Sequence, residues 1–132
     1  MCDFAVRKGI LPAVYDTDGN VDSGTLDIAG FKKATLVIEA GVITDGTHQF
    51  ILRESDDDAT YTDVAAADLA GDTLPTLAYG GGGGGSAVYK TYYNGTKRYL
   101  QCRSVVDSAT ATNGGIYSSC FILTTANQEP AT

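Results

Sequence analysis

The residues able to do chemistry are few, and they are scattered. Asp16, Asp18, Asn20 and Asp22 place oxygen side chains at alternate positions around Gly19. A hard cation such as calcium wants several carboxylate and carbonyl oxygens, and this is the candidate metal set. The stretch lacks the distal bidentate glutamate of acidic calcium loops, and Asp, Asn and Gly are also what a plain turn uses. The expectation is therefore a turn and no metal. Cys2, Cys102, Cys120 and the single His48 offer neither a CxxC nor a second histidine, so a closed zinc site is not expected. Glu54, Asp56, Asp57 and Asp58 crowd one tight turn, whereas glycosidase carboxylates face each other across a cleft. The six glycines Gly80–Gly85 are followed by Ser86-Ala87, not by the Lys and Ser/Thr of a phosphate-binding loop. They read as a Gly-rich loop over residues 80–86. No enzyme and no cofactor is expected.

The elements that hold these residues read as strands. In Phe31–Val64, Ala34, Leu36, Ile38 and Ala40 alternate with Thr35, Val37 and Glu39; after Thr44-Asp45-Gly46, His48, Phe50 and Leu52 alternate with Gln49, Ile51 and Arg53. A period of two marks a half-buried antiparallel strand. Asp-Gly is a strong hairpin signal, and Ser55–Asp58 leads into a third run, Ala59–Val64, so the stretch reads as a β-meander. His48 is expected at a strand end with its ring hydrogen-bonded.

Before the meander, Ile10–Tyr15 reads as a short edge strand and Thr25–Ile28 as another. After it come one helical turn at Ala65–Leu69, an extended or irregular Leu74–Tyr79, and strands at Ala87–Tyr93, Lys97–Val106 and Gly115–Thr125. Pairing the last two around the polar loop matches Val106 with Ile116 and Leu100 with Ile122. It also sets Cys102 opposite Cys120, with both thiols facing inward. A disulfide there is geometrically conceivable, although two reduced core thiols fit a reducing cytosol better. A catalytic Cys/His pair needs an exposed nucleophile, which inward thiols do not supply.

The expected fold is thus an all-β, antiparallel β-sandwich or jelly-roll-like single domain over residues 10–125. A flexible N-terminal arm spans 1–9 and a C-terminal tail spans 126–132. The arm's alternative is a first strand docked on its own domain. A chain of 132 residues with 43% hydrophobic side chains suits one core. Its 16 acidic against 9 basic side chains give a net charge of -7, and the basic ones fall in isolated pairs rather than clusters. That argues against nucleic acid as a partner. The first residues form no signal peptide and no run approaches a membrane span, so synthesis in a cytoplasm and no membrane partner are expected.

The stretch from Ala40 to Leu69, with Lys97–Val106 and Gly114–Thr125, resembles a group of small proteins encoded among tailed-phage and prophage head genes. The resemblance rests on Ile43–His48, Glu54–Asp57, Tyr61, Arg98-Tyr99 and Gly114–Leu123, and it covers roughly residues 14–125. The six-glycine insert and the two cysteines depart from that pattern. Some such proteins look like capsid decoration (cement) proteins. The resemblance implies a virion structural protein on the capsid exterior, made in a host bacterial cytoplasm, commonly a homotrimer, that binds the major capsid protein. Phe4, Val6, Ile10 and Leu11, apolar and ahead of the regular alternation, are the candidate capsid interface. The alternative is a carbohydrate- or receptor-binding sandwich on a virion surface or tail. The lack of Trp weighs against it, while eight Tyr partly compensate.

Overall fold

A computed structural model describes residues 4–78, 87–107 and 114–125. Cys2, the glycine loop at 80–86 and the tail 126–132 lie outside the described residues. The described chain forms twelve strands: β1 (Phe4–Lys8), β2 (Ala13–Tyr15), β3 (Gly19–Asp22), β4 (Leu26–Asp27), β5 (Lys33–Ile43), β6 (Thr47–Ser55), β7 (Thr62–Asp63), β8 (Leu69–Gly71), β9 (Thr76–Ala78), β10 (Ala87–Tyr93), β11 (Tyr99–Asp107) and β12 (Gly115–Thr124). A single 3-10 turn, Ala66–Asp68, sits where one helical turn is expected.

The strands form two antiparallel sheets packed face to face, the all-β sandwich that the alternation implies. One sheet, called A here, runs β1-β12-β5-β10-β8 with β2 beside the start of β12. The other, sheet B, runs β3-β11-β6-β7, with β4 against β11 and β9 against β6. Between them lie Leu36 and Ile38 from β5, Phe50 and Leu52 from β6, Leu100 from β11, and Phe121 and Leu123 from β12, none more than 2% exposed. The inward sets read for β5 and β6 are the observed ones.

Three expectations are corrected. The first concerns the meander: β5 belongs to sheet A and β6 to sheet B, so residues 44–46 arch from one sheet to the other. Alternation alone cannot separate these cases, because two strands bury alternate residues whether they lie side by side or face to face. The turn is anchored elsewhere: the Thr44 N–H and its hydroxyl both donate to the Gly114 carbonyl, at 2.7 and 2.9 Å. Gly46 takes φ +75°, a backbone state that side chains with a Cβ resist. Only the second turn closes a hairpin, between β6 and β7.

The second correction is the pairing of the last two strands. β11 pairs with β6, setting Cys102 opposite Leu52, while β12 inserts between β1 and β5 in the other sheet. β12 also turns its other side inward, because Tyr117, Phe121 and Leu123 together bury more apolar surface than Ile116 and Ile122. Cys102 therefore lies in the core and Cys120 on the outside of sheet A. Both are free thiols, and no disulfide joins them.

The third is the N-terminal arm. Residues 4–8 are not loose; they form β1, the edge strand of sheet A, in register from Phe4 against Thr124 to Lys8 against Cys120. Two backbone bonds extend the docking: the Gly9 N–H donates to the Ser119 carbonyl and the Ser119 N–H to that of Ile10, each at 2.9 Å. Ile10 is a core residue at 2% exposure.

The thiols test this geometry. In a Cys2→Ser chain, a maleimide should label Cys120 in the native state and Cys102 only after unfolding, as read by mass spectrometry. Equal labelling of both under native conditions would contradict the assignment of β12's inner face.

Candidate functional site

The residues singled out for chemistry are mostly committed to holding the fold. His48 is fully buried, its Nδ1 2.9 Å from the Tyr117 hydroxyl and its Nε2 3.1 Å from the Asp45 carbonyl. A carbonyl can only accept, so in the neutral ring the proton sits on Nε2 and Nδ1 accepts from Tyr117. The Tyr117 oxygen is then free to accept from the Ser104 hydroxyl at 2.9 Å. The His48 ring is hydrogen-bonded as expected. Burial pushes the Tyr117 phenol up to about 12 and the Cys102 thiol likewise to about 12, which keeps both protonated at neutral pH.

The acidic turn organises itself. One Asp57 oxygen accepts from the Ala59 and Thr60 N–H groups, both at 3.0 Å, and from the Ser55 hydroxyl at 2.9 Å. Those backbone bonds hold its carboxyl below the usual carboxylate range. Asp58 accepts from the Tyr61 hydroxyl. Glu54 accepts from the Tyr93 hydroxyl at 2.7 Å across the sandwich; burial, with this bond beside it, raises the Tyr93 pKa. The carboxylates of this turn are thus tied into the hairpin and the inter-sheet contact.

Of the candidate metal set, Asp22 is held by Arg103 through two bonds of 2.6 and 3.0 Å. Asn20 and Asp22 lie on β3, an extended strand paired with β11, and Asp16 accepts a bond from Thr17. No group of three or more His, Cys, Asp or Glu side chains converges among the described residues. Millimolar calcium should accordingly leave the melting temperature unchanged. A rise of several degrees, abolished by Asp18→Ala, would contradict this, since a ligand that binds only the native state stabilises it.

A cleft of about 350 Å³ opens at one end of the sandwich, lined in part by Phe31, Lys32, Tyr93, Lys97 and Arg98. Two of its cations are already paired: Lys97 with Asp56 at 2.6 Å, and Arg98 with Asp27 through bonds of 2.9 and 2.8 Å. The Arg98 guanidinium lowers the Asp27 pKa to about 2. Tyr93 is buried and so presents no open ring face for a sugar to stack on.

The surface divides sharply between the two sheets. The outer face of sheet B is laced with ion pairs: Arg103–Asp22 between β11 and β3, Arg53–Asp63 between β6 and β7, and Arg98–Asp27 beside β4. The outer face of sheet A instead exposes large apolar side chains. Its cross-strand register sets Val6, Ile122, Thr35 and Tyr92 in one row, and Lys8, Cys120, Val37 and Lys90 in the next. Phe4, Val14, Val88 and Ile116 share this face, with Phe4 66% and Val88 59% exposed. Val42 and the linker residue Leu11 complete the set of exposed large hydrophobic side chains among the described residues, and none of these lies on sheet B. Of the four proposed interface residues, Phe4, Val6 and Leu11 belong to this exposed set, and Ile10 does not.

Val14, Val42, Val88 and Ile116 are exposed as well and lie outside the candidate interface set. A signal exists for Ile116 alone: β12 has large apolar residues on both of its sides, Ile116 and Ile122 on one and Tyr117, Phe121 and Leu123 on the other, as a strand covered on both sides does.

The core network gives a second prediction. Tyr117→Phe keeps the ring but leaves His48 and Ser104 without their shared partner, and should cost about 1–3 kcal/mol in urea unfolding. An unchanged midpoint would show that the network carries no stability.

No family model matches the chain, and no curated protein matches it. Among solved structures, the crystal structure of SPBc2 prophage-derived protein YomS is similar over 94% of this chain and 95% of that one, with a TM-score of 0.50 and 14% identity. At that identity the likeness shows a shared fold.

Proposed function

We propose that this chain is a non-enzymatic virion structural protein, a cement protein that sits on the outside of a phage capsid as a homotrimer and binds the major capsid protein. The observation that carries the reading is the exposed apolar face of sheet A, set against the ion-paired face of sheet B. Contiguous apolar surface is costly to leave in water and marks a docking site. Two further points support it: the head-gene resemblance of residues 14–125, and a shared fold with a prophage-derived protein. Threefold packing would cover one unpaired sheet edge per subunit, and closed cyclic symmetry suits seats at local threefold points of a shell.

β1 is a strand of the sheet, so removing residues 2–9 would bare the β12 edge as well as the interface. Point substitutions on the face separate the two effects. The purified chain should scatter light as a trimer and sediment with undecorated capsids. Val88→Asp should weaken that binding about tenfold or more, as loss of a buried anchor does, while Thr76→Asp on sheet B leaves it unchanged. A monomer without affinity for capsids would overturn the reading.

A further inference from the structure

The apolar face is also the cationic side of an anionic protein. Among the described residues, the outer face of sheet A carries Lys8, Lys33 and Lys90 against a single carboxylate, Glu39, while Arg7, in register with the core residue Phe121, belongs to the other side of β1. The formal charge of that outer face is +2 in a chain of net -7, which leaves -9 for all the rest. Lys8 and Lys90 end the row that crosses β1, β12, β5 and β10, with Cys120 and Val37 between them. Glu39 lies one row away, opposite Ser118 and Val88.

From this distribution we infer that the outer face of sheet A docks on a partner surface that is apolar at its centre and acidic around it. On the cement reading, on which this inference rests, that surface belongs to the major capsid protein. Complementary charge steers encounter and fixes register, and like charges brought face to face are penalised. A second copy packed sheet A to sheet A would oppose two +2 plates, so the charge pattern disfavours this chain as its own occupant of the face. The acidic remainder of each subunit would point away from the shell and keep free subunits soluble before assembly.

Cys120 reports on the face directly, because it lies within it. In a Cys2→Ser chain bound to undecorated capsids, maleimide labelling of Cys120 should slow by about tenfold or more relative to the free chain, as burial in a desolvated interface requires. Lys8→Glu combined with Lys90→Glu should weaken capsid binding about tenfold at low salt. The gap should close in about 1 M salt, where screening acts within a few ångströms. The variant's melting temperature, compared with that of the parent, checks that it folds; should it not fold, the labelling experiment decides alone. Bound chains whose Cys120 labels at the free rate would overturn the inference and leave the cement reading intact. Ready formation of a Cys120–Cys120 linked dimer would also overturn it, by showing that a second copy covers the face. A parent chain that fails to bind capsids at all would overturn the cement reading, and the inference with it.

Discussion

The sandwich depends on one side chain that crosses it. Tyr117 rises from β12 in sheet A and ends among residues of sheet B, its hydroxyl bonded to His48 and Ser104. Its ring meets Phe50 edge-on at 5.0 Å and stacks on Tyr15 at 4.9 Å. Apolar packing would let two sheets slide and still bury their faces. A buried hydroxyl with partners on the opposite sheet does not, because a slip leaves polar groups dry and unpaired. Tyr93 repeats the device near the other end, reaching from β10 to Glu54 on β6. The one histidine and several conspicuous polar residues are accordingly spent on the relative placement of the sheets.

Fixing the sheets face to face leaves two outer surfaces, and their difference carries the functional argument. Sheet B is finished for water by cross-strand ion pairs, and sheet A exposes large apolar side chains. Strands apolar on both faces belong where both faces are covered, yet among the described residues only the inner face of sheet A is covered. The excess of cations on the same strands adds a sign to the surface that is missing its cover.

The inward-facing residues of β5, β6 and β11 could be read from alternation, and the places of the 3-10 turn and of β10 were also legible in the sequence. Sheet membership could not. The arch at residues 44–46 and a hairpin there share one sequence pattern, and what distinguishes them is a bond to Gly114, some 70 positions away. The facing of β12 was misread for a related reason. With Ile116 and Ile122 on one side and Tyr117, Phe121 and Leu123 on the other, either side could have been the core, and the larger rings decided it. Phe4, Val6 and Leu11 were legible as unburied apolar residues. That Val88 and Ile116 join them on one surface follows only from the strand order.

The account's central claim is that the apolar, cationic face of sheet A lies against the shell of a particle. A density map of the intact virion tests it most directly. The account predicts hundreds of copies, grouped in threes at local threefold positions, with sheet A toward the capsid and the ion-paired face of sheet B toward solvent. A map with this chain in a handful of copies at the tail, or on the shell with sheet A facing outward, would contradict it.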